Sequence, residues 1–363
     1  MIRIIESEEA LEALRAIWED LEQRVAATPF QRFLWARAAW RYELTTRAAR
    51  PRLFIIVAGE SQACVRIILP TFLTARGTLR FLLDDHADHN DALADGHYPL
   101  GTLCSEVAHL LATHRAIRAV DFRRVPATSG LLGALVLGLR GCTLMHYGGY
   151  GELRLATLPE ATADADRAQS RTTWRQFPHL RAVERKKLNR LLQRSEGMTF
   201  TLLRASEAPF PEAAIAALRT QMITAGVRRK TFLSPALLAV TRELYEAGQC
   251  EVGLLTREDA PLALGFHFRS PGRITAWILL VAAHDLPSLY NACHLARCTE
   301  APGTWIDFGT GAYDYKFLLW RPIPRVSLRL VWKRGLWGRV WGGGAVLWRL
   351  TKDALRDGLE GKL

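Results

Sequence analysis

Trp305 to Trp320 read WIDFGTGAYDYKFLLW. The residues up to Asp307-Phe308 have the pattern of a strand. Gly309 and Gly311 follow at once, and glycines after a strand let the backbone take positive φ or approach a ligand closely. A polar-aromatic turn then reaches the dyad Tyr315-Lys316. A lysine placed there can pair with a phosphate or a thioester-linked cofactor, and a tyrosine can donate a proton. A tight β-turn with a solvated lysine has the same spacing.

Upstream, periodicity predicts a basic helix within 174–195, a strand at 198–204 and helices at 211–225 and 234–247. Strands follow at 250–256, 261–269 and 273–283, then a helix near 288–299 and a strand at 304–308. The first half has a similar order. A strand at 1–5 precedes a helix at 7–25 capped by Ser7, and Pro29 opens a second helix to residue 43. Strands are expected at 52–58 and 64–73, a helix at 103–114, a strand at 117–123 and an apolar helix or strand at 130–139. Residues 155–173 (LATLPEATADADRAQSRTT) are small, polar and aperiodic. The expected organisation is therefore an α/β (α+β mixed) domain over 1–158, a linker over 159–173, a second domain over 174–325 and a tail over 326–363. The shared element order suggests an ancient duplication.

The chain has 363 residues, 49% hydrophobic and 23% charged, which excludes a disordered or collagen-like chain. Lys and Arg number 48 against 36 Asp and Glu, a net charge of +12 that calls for an anionic partner. The six cysteines show no CxxC spacing and read as reduced thiols of a cytoplasmic protein. Cys293-His294 with Cys298 lacks a second ligand pair, so no metal site is expected. No apolar run reaches the roughly 20 residues of a spanning helix. The acidic start of the chain (Glu6, Glu8, Glu9, Glu12) is unlike a secretory signal.

The 305–320 segment resembles the D-F-G-x-G-x-x-x-Y-K-x-x-W/F signature of the CelD-like, cellulose-biosynthesis branch of the GNAT acyltransferases, a branch related in fold to the FemAB transferases. The resemblance extends over roughly 28–320. Pro29-Phe30-Gln31 with Trp35 and Trp40 is similar to an N-terminal helix motif. Asp84-Asp85 with Asp91 is similar to an S-D-Y-x-D segment. Arg181 to Arg190 looks like the central basic helix, and Pro261-Leu262-Ala263 like a strand entry. The resemblance implies two tandem GNAT-like (acyl-CoA N-acyltransferase) domains. It also implies acyl transfer from a thioester to an amine, with no tightly bound cofactor. Two departures stand out. Leu286-Pro287-Ser288 replaces the family's S-P-G before the helix preceding the signature, and the Q/R-x-x-G-x-G/A phosphate loop of ordinary GNAT enzymes is absent. Acyl-CoA and acyl-carrier protein thus both remain as donors, and an inactive membrane-associated scaffold is the reading from another class.

Acyl transfer needs a base, a polariser for the carbonyl and an acid for the thiolate. His267, alternating with Phe266 and Phe268, is the first candidate base, and His284 the second. Asp307 would orient one of them or cap a turn. Tyr315 is the candidate acid. Lys316, Gly309, Gly311 and Ser288 are the expected donor-binding residues. Each also has a structural reading: a core histidine, a turn cap or a solvated side chain. Asp84, Asp85, His86, Asp88, His89 and Asp91 form an acidic loop, read as solvated, with a grip on the acceptor's ammonium and a metal site as the alternatives.

The tail 326–363 holds four of the eleven tryptophans and eight basic residues against three acids. Leu330, Trp337, Trp341 and Trp348 fall on one helical face. A basic amphipathic helix of this kind suits the inner face of a membrane better than nucleic acid; packing on the core is its structural alternative. A lipid amine such as a sphingoid base, as in a ceramide-synthase-like reaction, is then the expected acceptor. An amino sugar of an envelope polysaccharide is the runner-up.

Overall fold

The computed structural model describes residues 1–335 except 26, 63, 97–100, 156–173, 175–176, 178, 271, 297–303 and 312, and the side chains of Asp314 and Tyr315 also lie outside the description. The described chain folds as two units: Met1–Gly148 joined by residues 326–335, and Gly149–Arg325. The expected linker at 159–173 and the tail beyond 335 lie outside the described residues.

In the first unit β1 (Ile2–Ile5) leads into α1 (Glu8–Ala13), where the Ser7 side chain accepts from the Ala10 N–H as expected of an N-cap. The single helix read over 7–25 is two, because α2 (Arg15–Arg24) starts afresh after Leu14. Pro29–Gln31 forms a 3-10 turn before α3 (Phe33–Thr46). Strands β2 (Arg52–Leu53), β3 (Ile55–Gly59), β4 (Val65–Leu69), β5 (Thr71–Leu73), β6 (Thr78–Phe81) and β7 (Leu93–Ala94) follow, then α4 (Gly101–Thr113), β8 (Ala119–Pro126) and α5 (Gly130–Gly138). One sheet has the order β1-β3-β4-β7; a second runs through β8, β6, β5 and β2.

Two long strands were not foreseen: β9 (Thr143–Arg154) and β15 (Ile323–Lys333). The second corrects the reading of the tail. Residues 327–333 pair antiparallel with β8, and Leu330 and Trp332 are buried in the first unit's core. Arg329 forms a two-pronged ion pair with Asp121. The repeating Arg-Leu, Val-Trp pattern that can be drawn on a helical wheel is here a period-2 strand pattern with one face inward.

The acidic segment is likewise corrected. Asp84, Asp88 and His89 are buried. Arg80 grips Asp84 with two hydrogen bonds, Arg123 reaches Asp85, Arg124 lies 3.7 Å from Asp88, and Ser129 donates to Asp91. Burial pushes the carboxyl of Asp84 up to about 7. These residues bind the first unit together, and among the described residues no group of His, Cys, Asp and Glu is arranged to hold a metal ion.

The second unit carries α6 (Ala182–Arg194), β10 (Thr199–Leu203), α7 (Glu212–Thr224), α8 (Pro235–Glu246), β11 (Cys250–Arg257), β12 (Ala260–Ser270), β13 (Arg273–Val281), α9 (Leu286–Ala296), β14 (Trp305–Thr310) and α10 (Asp314–Trp320). Strands β10, β11, β12 and β13 pair antiparallel in sequence, β14 is parallel to β13, and Tyr150–Arg154 of β9 closes the order beside β14. The apolar core lies between this sheet and α6, α9 and α10. The Tyr315-Lys316 dyad expected after the turn lies in the helix α10, which begins at Asp314.

Candidate functional site

Strands β13 and β14 pair over only three residues, Arg273 with Trp305, Ile274 with Ile306 and Thr275 with Asp307. Both continue beyond that point, to Val281 and Thr310. Where their pairing stops, a cavity of about 430 Å³ opens. Its walls are Ala276, Trp277, Ile278, Leu279 and Val281 from β13, Phe308 and Thr310 from β14, Gly265 and His267 from β12, and Pro287, Tyr290 and Asn291 from α9. Val227 and Arg228, from the loop after α7, and His284 also line it. A bulge between Phe266 and His267 shifts the β12–β13 register beside the cavity.

His267 is buried and points away from Phe266 and Phe268, whose rings face Trp277 on the other side of the sheet. Its Nε2 lies 2.6 Å from the Tyr290 hydroxyl, and its ring stacks on His294 with centroids 4.0 Å apart. Nδ1 has no hydrogen-bond partner among the described residues. Tyr290 and His294 are one turn apart on α9, so both reach the same face of the sheet. The Tyr290 hydroxyl also meets the carbonyls of Gly253 and Gly265 at 3.3 and 3.4 Å. Burial drives the pKa of His267 well below its usual range, with His294 and Arg269 adding to the effect. It lowers His294 to about 4, and it raises Tyr290 well above 10. At neutral pH these are two neutral imidazoles and a neutral phenol.

The other sequence candidates fall in different roles. His284 lines the cavity mouth and is exposed. Asp307 is fully buried; its carboxylate accepts from the Gly309 N–H at 2.9 Å and lies 3.4 Å from Arg273. It caps the turn at the bulge between β14 and β9. Gly309 and Gly311 have φ of 68° and 99°. A Cβ on Gly311 would stand 2.4 Å from the Tyr313 ring. Lys316 is buried, and its ammonium donates to the carbonyls of Phe308, Gly309 and Thr310 at 2.5, 3.3 and 3.0 Å. Asp307 and Lys316 therefore latch both ends of the bulged strand while Lys316 also borders the cavity. Tyr315 lies in α10, its side chain outside the described residues. Ser288 sits half-exposed in the first turn of α9 and does not line the cavity.

Two cavity residues went unread in the sequence: Tyr290 and Asn291. Asn291 is buried against the cavity. The visible signal was the pair Gly253 and Gly265, which stand directly opposite each other in β11 and β12. Two glycines interrupting neighbouring apolar strands mark a close approach from above.

Residues 178–317 match the acetyltransferase (GNAT) domain model. No curated protein matches the sequence. Among solved structures the chain is similar to FemX, at 12% identity and a TM-score of 0.55, covering 86% of this chain and 95% of that one. It is similar to the C-terminal domain of a putative lysylphosphatidylglycerol synthetase from Agrobacterium fabrum, at 10% identity and a TM-score of 0.54, covering 93% and 96%. A conserved protein of unknown function from Bacteroides thetaiotaomicron gives 10% identity, 0.54, and coverage of 92% and 100%. At such identities the likeness is one of fold. The chain thus has a mixed α/β fold, and its residues 178–317 carry a GNAT-type acetyltransferase domain.

Proposed function

We propose that the second unit transfers an acyl group from a thioester, on coenzyme A or an acyl-carrier protein, to an amine. The observation that carries this reading is the opening between β13 and β14 with a buried neutral imidazole on its wall. A parted pair of parallel strands leaves strand edges able to hydrogen-bond an extended, amide-bearing arm such as pantetheine. The apolar side chains of Trp277, Ile278, Leu279 and Val281 suit an acyl chain.

The Tyr290 hydroxyl lies between two carbonyls, which can only accept, and the Nε2 of His267. The hydroxyl can then donate to a glycine carbonyl and accept from Nε2–H. Nδ1 then carries the lone pair and is the basic atom. The amine attacks the thioester carbonyl, the C–N bond forms and the C–S bond breaks. The ammonium proton passes to the imidazole of His267, whose buried Nδ1 must be uncovered as the substrate enters, and the electron pair leaves on the thiolate, which takes a proton in turn. The Asn291 amide is the group placed to polarise the carbonyl. His284 at the mouth is the second base in this scheme, and Tyr315 the residue offered as acid by the segment's likeness to the CelD-like branch.

The acceptor read from the sequence is a long-chain amine at the cytoplasmic face of a membrane. What supports it is the Trp-bearing basic composition of 336–363 together with the apolar lining of the cavity. No helix among the described residues is long and apolar enough to cross a membrane. The test is mass-spectrometric detection of the N-acyl product from hexadecanoyl-CoA or hexadecanoyl carrier protein with sphinganine or glucosamine. His267→Ala should depress the rate by roughly 10²–10⁴-fold at neutral pH while the protein still melts cooperatively. Wild-type turnover in that variant would remove His267 from the chemistry. Absence of product from both donors with both acceptors would overturn the proposal.

A further inference from the structure

Helix α6 presents Arg185, Lys186, Lys187, Arg190 and Arg194 to solvent. Its one acid, Glu184, is turned inward and held by Arg181. The outward face is therefore cationic throughout, and Lys186, Lys187 and Arg190 have no carboxylate partner among the described residues. Three adjacent uncompensated cations repel one another, a cost that an anionic partner relieves. The stripe from Lys186 to Arg194 is about 12 Å long. Its C-terminal end is fastened to the cavity mouth, because Arg194 pairs with Asp285, the neighbour of His284.

That mouth is poorly made for a nucleotide. The turn between β13 and α9 reads Ala282-Ala283-His284-Asp285 without a glycine, Pro287 removes an N–H from the first turn of α9, and Asp285 brings a carboxylate. A pyrophosphate is held by runs of backbone N–H groups, which this turn does not supply. Of the two cations at the cavity, Lys316 is held by the carbonyls of residues 308–310, which leaves Arg228, enough for a single phosphodiester. The exposed face of α6 has no aromatic residue to stack bases, and Val183 is its one exposed large apolar side chain, so neither a nucleic acid nor a lipid surface is matched as well.

We infer that the outward face of α6 docks an acidic acyl-carrier protein, whose thioester-bearing phosphopantetheine arm then enters between β13 and β14. The inference rests on the thioester-transfer reading and names its donor. The test is the triple charge reversal Lys186→Glu, Lys187→Glu and Arg190→Glu, with the triple alanine variant beside it. Binding of fluorescent hexadecanoyl carrier protein is followed by anisotropy at low and high salt, and transfer rates are measured from the same carrier and from hexadecanoyl-CoA.

The wild type should bind the carrier in a salt-sensitive manner. Charge reversal should weaken binding by about tenfold or more, alanine by less, with transfer from CoA within about twofold of wild type and an unchanged Tm. Wild-type protein that ignores the carrier at low salt would overturn the inference, as would reversal that leaves carrier binding intact. So would an equal loss with both donors at unchanged Tm, which would make the stripe a nucleotide site. Loss of binding to anionic vesicles or RNA with the carrier indifferent would reassign the face. Carrier binding that follows the predicted pattern, without transfer from any donor, would keep the docking surface and reject the proposed reaction.

Discussion

Tyr290 is seated directly on Gly265: a Cβ added to that glycine would stand 2.4 Å from the tyrosine hydroxyl and 2.7 Å from its Cζ. Gly253 across the strand pair leaves the same space, with a Cβ 2.2 Å from the hydroxyl. The missing side chains are what let the phenol reach Nε2 of His267.

Gly265→Ala should therefore act as an overpacking change with a chemical consequence. Such changes destabilise by roughly 1–3 kcal/mol, or about 2–12 °C in Tm for a unit of this size. Activity of the folded fraction should fall with it, because the ring that positions His267 is displaced. Tyr290→Phe separates the two effects. It keeps the ring and removes the hydroxyl, leaving a buried ring nitrogen without a partner at about 1–3 kcal/mol. Calorimetry alongside product formation checks both. Unchanged Tm and rate in Gly265→Ala would show that the helix does not sit this close to the sheet.

Much of the second unit was legible because its strands are buried apolar runs and its helices have clear periods and caps. Ser234 and Pro235 announce α8, and the Ser234 side chain accepts from Leu237 N–H. His267 could be placed opposite its phenylalanine neighbours from alternation alone. What remained unread depends on contacts distant in sequence. Tyr290 looks like any core aromatic until Gly253 and Gly265 are set beneath it. The bulged latch of Asp307 and Lys316 reads as a solvated turn until the carbonyls of 308–310 fold back around the ammonium. Strand β15 was mistaken for the start of a helix because its pairing partner β8 lies some two hundred residues earlier.

Lys316→Met should report a structural lysine. The three carbonyls it holds would lose a charged donor, at about 1–3 kcal/mol or more for a buried group. The Tm should drop while the donor KM of the folded protein stays close to wild type. A raised KM at unchanged Tm would instead return Lys316 to donor binding, the role read from its spacing in the sequence.

His294 sets a pH dependence whose sign is fixed. Its folded pKa is lowered to about 4 from 6.5, so the fold disfavours the protonated form. The unfolded chain binds the proton first as pH falls. Stability is thus fully present above 6.5 and is lost progressively as pH drops toward 4, by on the order of 3 kcal/mol for this one group. His267, lowered in the same direction, steepens the loss. In the first unit Asp84 and Asp91 are raised, to about 7 and about 6, and act with the opposite sign. The clean measurement is therefore a difference. The Tm gap between wild type and His294→Leu should shift in the variant's favour between pH 6.5 and 4. A gap independent of pH would mean that His294 is not held neutral.

Truncation at two points resolves the tail. Ending the chain after Arg325 removes Leu330 and Trp332, both buried in the first unit, together with the strand partner of β8. Each large buried side chain contributes about 1.5–3 kcal/mol, so the first unit should lose most of its stability and the protein should aggregate. Ending after Gly335 leaves that core whole, and the product should fold with a near-native Tm. The tail removed in the second case keeps three tryptophans, with five basic residues against three acids. The net charge that this segment offers an anionic surface is therefore +2. At about 1 kcal/mol per charge, electrostatics alone supply only weak binding, and the tryptophans must supply the rest. Full-length protein should therefore sediment with anionic vesicles in a manner only partly reversed by salt, and the protein ending at Gly335 should not. Equal sedimentation of the two would place any membrane contact elsewhere and remove the chief support for a lipid acceptor.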